Sequence, residues 1–146
     1  EAVEKYRKAM RMHPDFVPAI FGLGMCLAEK GEFAEAIALQ ERAVELSGNH
    51  PLIEGFLAGT YAYSGKTEKA LESIEKFKAA EGKSLSYTIA AVYARLNEKE
   101  AAFSYLEKSF SLRDRSLSGI SIEPEFDNLR GEPRFRDMLR RVGLDV

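Results

Sequence analysis

Two histidines, one cysteine, a short run of carboxylates and a cluster of arginines are the side chains of this sequence that could do chemistry. His13 directly precedes Pro14 and His50 directly precedes Pro51, so both read as linker residues. No Cys or His cluster has metal-ligand spacing, and no metal is expected. Cys26 lies inside a helical pattern between Met25 and Leu27 with no histidine near it in sequence, which predicts a small buried hydrophobe rather than a nucleophile. Glu123, Glu125 and Asp127 could serve as acid and base, but they read as a solvated, cap-forming loop. Gly22 and Gly24 form a Gly-x-Gly inside a helix rather than after a strand, so no phosphate loop is implied. Arg134, Arg136, Arg140 and Arg141 are diluted by Asp137 and Glu132, and nucleic acid is not expected as a partner. No acid, base and nucleophile converge. The sequence predicts neither an enzyme nor a cofactor.

The elements that would position these residues follow from composition and spacing. The 146 residues are 45% hydrophobic and 30% charged with a net charge of −2, so no bulk attraction to nucleic acid or an anionic membrane is expected. A single cysteine excludes an internal disulfide framework and fits a reducing, cytoplasmic setting. No apolar run approaches the roughly 20 residues of a membrane span. The chain opens at Glu1 within a helical pattern and without an initiator methionine, which suggests a piece of a longer chain.

An internal repeat organises the rest. Leu23, Leu27, Gly31, Ala36 and Ala43 recur 34 residues later as Leu57, Tyr61, Gly65, Ala70 and Phe77. A third copy stands 32 residues further on, at Ile89, Tyr93, Asn97 and Ala102, with Leu106 and Ser109 after it. In each first helix an apolar residue is followed by a small one and then an aromatic or Leu: Leu23-Gly24-x-x-Leu27, Leu57-Ala58-x-x-Tyr61, Ile89-Ala90-x-x-Tyr93. Spacings of three and four place these on one face, and the small residue lets a partner helix approach. Gly31, Gly65 and Asn97 are residue types that accept the left-handed conformation ending a helix. Ala36, Ala70 and Ala102 then mark where the second helix crosses the first. Ala2, Tyr6 and Ala9 precede Ala36, Gln40 and Ala43 by 34 residues, reading as the second half of an earlier repeat.

A helix–turn–helix unit of this length with these small and large positions resembles the tetratricopeptide repeat. The resemblance spans about residues 1 to 110. It implies an all-α superhelix of stacked antiparallel helix pairs: 1–13 as the second helix of an incomplete repeat, and repeats at 16–48, 51–81 and 84–110. Residues 111–146 would form an extended linker and a C-terminal capping helix. The tryptophan often found early in the first helix is Ile20, Glu54 and Ser86 here, and the closing proline is Pro14, displaced to Pro51, and absent near Gly82.

After Phe110 the texture changes to seven Arg, no Lys and seven acidic residues. Glu123-Pro124-Glu125-Phe126 and Glu132-Pro133-Arg134-Phe135 each place proline where a helix can start, predicting a short turn at 124–130 and a helix at 133–142. Phe135, Met138, Leu139 and Val142 share one face of that helix, and Gly143 stops it. The run resembles the ending of many bacterial tetratricopeptide proteins, in Pro124, Phe126, Leu129, Arg130, Pro133, Arg134, Phe135, Leu139, Arg140, Arg141, Gly143 and Leu144. Those proteins usually carry Asp before each proline, so Glu here predicts weaker capping, by roughly 0.5–1 kcal/mol per helix.

The resemblance implies a protein-binding scaffold whose concave side is lined by the first helices. Groove candidates are Phe21, Met25 and Glu29, then Phe56, Gly59 and Tyr63, then Tyr87, Ala91 and Arg95. Family co-chaperones that grip a C-terminal carboxylate use Lys and Asn where Phe21 and Met25 stand, so that activity is not expected. An apolar helix or extended peptide fits the aromatic lining better. Loss of an upstream helix would leave Val3, Tyr6 and Met10 partly uncovered, an invitation to homodimers. Alternatives are a ligand-sensing regulatory domain or a homo-oligomerisation module, linked to an upstream cyclase, kinase or DNA-binding regulator.

Overall fold

The computed structural model describes residues 1–78 and 85–144. Eight α-helices are present among them: α1 Ala2–Met12, α2 Val17–Glu29, α3 Phe33–Leu46, α4 Pro51–Tyr63, α5 Thr67–Lys78, α6 Leu85–Arg95, α7 Lys99–Ser111 and α8 Pro133–Arg141. Two 3₁₀ turns, Arg115–Gly119 and Pro124–Leu129, lie between α7 and α8. No strand occurs among the described residues, and no described helix is long and apolar enough to cross a membrane. The proline-free linker near Gly82 lies outside the described residues.

The three first helices end in the same way. Gly31, Gly65 and Asn97 have φ of +79°, +78° and +61°. The amide after each donates back to the carbonyl five residues earlier: Glu32 to Leu27, Lys66 to Tyr61 and Glu98 to Tyr93, all at 2.9 Å. This closes the orphan carbonyls of the last turn and reverses the chain into the second helix. Arg113, at φ +52°, ends α7 in the same left-handed conformation. It has neither the missing Cβ of glycine nor the short polar side chain of asparagine.

Two compact units divide the chain, residues 1–77 and residues from 78 onward. In the first, Leu23, Leu27 and Ala36 form a buried cluster against which Val3, Tyr6, Met10, Ala28 and Leu39 pack. Gly24 makes the α2–α3 approach feasible, because a Cβ there would stand 2.9 Å from Gln40 Cγ and 3.3 Å from the Ala36 carbonyl oxygen. Gly22 receives the Tyr6 ring, whose carbons would lie 2.4–2.9 Å from an added Cβ. The apolar stripe of α1 is thus turned onto α2, while Glu4, Lys5, Arg7, Lys8 and Arg11 face solvent. Val3, Tyr6 and Met10 are nonetheless only partly buried, and no residue of α1 is fully buried, so part of this stripe stays uncovered as expected.

Ile20, Glu54 and Ser86, at equivalent points of the three first helices, are all buried. So are Leu57, Ala58, Tyr61 and Ala70 in the first unit and Ile89, Ala90, Tyr93 and Ala102 in the second. Cys26 departs from the full burial expected. It stands one position off the buried run Leu23, Gly24 and Leu27 and is only half-buried.

The segment after α7 is not the extended linker expected. Its two 3₁₀ turns bury Leu117, Ile120, Phe126 and Leu129, and α8 adds Phe135, Met138 and Leu139. A short chain with an apolar residue every few positions gains more by winding these against α6 and α7 than by staying extended. Neither Glu123 nor Glu132 caps its helix with its side chain. The extra methylene carries each carboxylate to a neighbouring helix instead: Glu123 accepts from Tyr87 Oη and Glu132 from Lys99 Nζ, both at 2.7 Å. The run Glu123–Asp127 departs from a solvated loop at Glu123, which is a packing contact, while Asp127 is exposed as expected and pairs with Arg130 at 2.7 Å.

Candidate protein-interaction surface

In the first unit the candidate residues lie on α2 and α4. Positions 56, 59 and 63 of α4 are spaced by three and four and so share a face. Phe56 is 38% exposed. The Phe21 ring meets it edge-on, with centroids 5.5 Å apart and planes at 64°, the geometry aromatic pairs prefer. Gly59 has open space where a Cβ would be, leaving a dent on the face between Phe56 and Tyr63. Tyr63 and Met25 are half-buried, and Glu29 is exposed at the end of α2. The Met25 sulfur accepts a contact from Gln40 Nε2 at 3.5 Å, which ties it to α3. Phe21, Phe56, Gly59 and Tyr63 are brought to the surface; Met25 is partly engaged within.

In the second unit the expectation fails at one position. Tyr87 is 7% exposed, with its ring 5.5 Å from Phe126 and its hydroxyl on Glu123. Burial, then that hydrogen bond and the negative charge of Glu123, push its ionisation well above the usual tyrosine range. It is a core residue beneath the second 3₁₀ turn and offers nothing to a partner. Ala91 is half-buried and Arg95 exposed.

The capping helix was expected, but the ion pairs that fasten α8 to α7 were not. Arg134 clasps Glu100 with two hydrogen bonds of 2.9 and 2.6 Å while its guanidinium lies 4.2 Å from the Phe103 ring centroid. Two turns along, Arg141 clasps Glu107 at 2.6 and 2.8 Å and lies 4.3 Å from the Phe110 ring. Each is a bidentate pair laid on an aromatic face. Hydrogen bonding from the arginines holds both carboxylates below their ordinary range. The signal in the sequence was opposite charge at one repeat length, since each pair is separated by 34 residues. Two of the four clustered arginines are therefore internal fastenings, not a basic patch.

Asn128 also binds across this end, donating to the Ala94 carbonyl at 2.6 Å and to Asn97 Oδ1 at 3.1 Å. Arg130 threads back to the carbonyls of Ser121 and Glu123. These bonds hold the second 3₁₀ turn on the end of α6.

Helix pairs joined by left-handed turns, with small residues at each crossing, define an α-helical repeat protein. Tetratricopeptide repeat family models match residues 1–51 and 84–115, and the chain is a tetratricopeptide-repeat protein. It is 34% identical over 85 residues to the TPR repeat-containing thioredoxin TTL4 of Arabidopsis thaliana, covering 57% of this chain and 12% of that protein. It is 36% identical over 58 residues to a TPR repeat-containing protein of Methanocaldococcus jannaschii, covering 40% of this chain and 17% of that protein. The chain thus spans a small part of the relatives it matches. A crystal structure of MamA superposes with a TM-score of 0.63 at 17% identity, over 95% of this chain and 83% of that one. A MamA RS-1 ArsTM double mutant gives 0.64 at 14% identity, over 98% and 86%. At those identities the likeness shows the all-α, tetratricopeptide-type fold alone. Together the repeats and their relatives make the chain a protein-interaction scaffold.

Proposed function

We propose that the first unit holds a partner helix or extended apolar segment on the face formed by Phe56, Gly59 and Tyr63 of α4 with Phe21 of α2. The single observation that carries this is the exposed Phe56 ring, braced by Phe21 and bordered by the dent at Gly59. A braced ring presents apolar area at little cost in side-chain freedom, and a dent beside it can take a partner's side chain. Glu29 at the end of the face supplies a polar edge.

Peptides selected from an amphipathic helix library against the chain supply the test. Replacing Phe56 and Tyr63 together by Ala is expected to weaken the selected binders by more than about 2 kcal/mol, and Gly59→Trp to block them by filling the dent. Unchanged affinity in both folded variants would show that the partner binds elsewhere. The matching stretches make up 12% and 17% of the relatives' lengths, which supports a further reading of this scaffold as one regulatory part of a longer protein.

A further inference from the structure

A different surface of the first unit carries charge instead of rings. An open cleft of about 410 Å³ between α3, α4 and α5 brings Glu41, Glu45, Glu54 and Glu72 together with Lys69 and Lys76. Four carboxylates thus face two lysines.

Glu54 is the most buried of the four. It is 4% exposed and lines this cleft, yet no described residue gives its carboxylate a hydrogen bond or an ion pair. Its oxygens are not sealed off, since they reach the open cleft, but a carboxylate at this depth is poorly hydrated and favours a partner that enters from that side. The equivalent residues Ile20 and Ser86 are buried and uncharged, so the repeat needs no acid here. Lys69 is already engaged: its Nζ lies 3.6 Å from Glu41 and 5.3 Å from the Tyr61 ring centroid. Lys76 lines the cleft without pairing to Glu54.

The Tyr61 hydroxyl reports on the surroundings. It donates to Glu41 Oε1 at 2.5 Å. Its ionisation is pushed up by burial, by that hydrogen bond and by the negative charges of Glu41, Glu54 and Glu72. Those carboxylates therefore act on one small volume.

Among the described residues no three acidic, His or Cys side chains stand close enough to hold a metal ion. The excess charge is spread over floor and rim, which suits an extended cation with several donors. A guanidinium offers five N–H groups in a planar fork and is more weakly hydrated than an ammonium. Its carbon stem has Val44 and Leu57, also on the cleft wall, to lie against.

We propose that this cleft takes an arginine side chain from a partner polypeptide, with Glu54 as the buried carboxylate that receives the guanidinium and Glu41, Glu45 and Glu72 as its rim. The site is separate from the Phe56 face and does not rest on it.

The test is an amide NMR titration of the whole chain with N-acetyl-arginine amide, alongside the lysine amide and the uncharged citrulline amide. Expected are saturable shifts at residues around Glu54 and Tyr61 with the arginine probe, none with citrulline, and severalfold weaker binding of lysine. Glu54→Gln should weaken arginine binding at least tenfold, and Phe56→Ala should leave it unchanged. A non-saturating response to arginine, or equal affinity in Glu54→Gln, overturns the site; equal binding of lysine overturns the guanidinium assignment. Thermal unfolding of Glu54→Ile checks the premise independently of any ligand. A raised Tm is expected, and a Tm lowered by several degrees would show that the carboxylate holds the helices together.

Discussion

The carboxylates of α7 and those of the α3–α5 cleft are handled in opposite ways. Glu100 and Glu107 each meet an arginine in bidentate geometry, and each arginine rests on a phenylalanine of the same helix. Glu54, far more deeply buried, has no hydrogen bond or ion pair to its carboxylate among the described residues and opens only on the cleft. Charge that fastens the fold is paired within the chain, on the surface, where pairing is inexpensive. Charge left unpaired at the foot of an open cleft is met by water or by a partner that enters the cleft. The contrast separates residues that hold this protein together from residues that hold something else.

The largest test of the fastened end removes its apolar anchor. Phe126 is fully buried between Tyr87 and Phe135, and Phe126→Ala should cost about 3–5 kcal/mol in urea unfolding. A cost below about 1 kcal/mol would mean that the terminal segment adds little to the second unit.

Acid should undo the ion pairs next. Hydrogen bonding from Arg134, Arg141 and Lys99 lowers the pKa of Glu100, Glu107 and Glu132 from the ordinary 4.5. A carboxylate with a depressed folded-state pKa stabilises the fold above its unfolded value and loses that contribution as pH falls through the folded one. Tm should therefore decline below about pH 4.5. In the Arg134→Ala, Arg141→Ala double variant the decline should be shallower. An unchanged pH profile in that variant would assign the acid sensitivity to other groups.

A smaller effect isolates one fastening. A double-mutant cycle on Arg141 and Glu107 should give a coupling of about 0.5–1 kcal/mol, the usual scale for a half-exposed pair. Zero coupling would make the stacking on Phe110 the whole contribution of Arg141. The smallest change is at the entry to the terminal segment. Arg113→Gly should raise stability by about 0.4–1 kcal/mol by relieving the left-handed backbone at φ +52°. A loss of stability would mean that the Arg113 side chain contributes more than its backbone strain costs.

What was legible in the sequence was whatever repeats. Gly31, Gly65 and Asn97 stand at the turns because only certain residues enter left-handed geometry, and that constraint is written locally. Depth and partnership are not. Tyr87 aligns with Phe21 and Gly55 in the repeat register, one position off Phe56, and lies under Phe126; periodicity does not reveal that the segment after α7 covers it. Glu54 stood out as an acid where large apolar residues are common, yet only packing shows that it is buried without a partner. Arg134 and Arg141 read as a basic cluster because their acids lie 34 residues away, beyond any local window. That distance was itself a usable clue, since it equals the repeat.

A fastening made at a separation of one period has a consequence for descent. The contacts of α8 with α7, and of the second 3₁₀ turn with Tyr87 and Ala94, all reach back into the single helix pair before them. None depends on how many pairs came earlier. Duplication or deletion of an upstream pair would leave these contacts intact, so α6, α7 and the segment that packs on them can be inherited together as one cassette while the number of upstream pairs drifts.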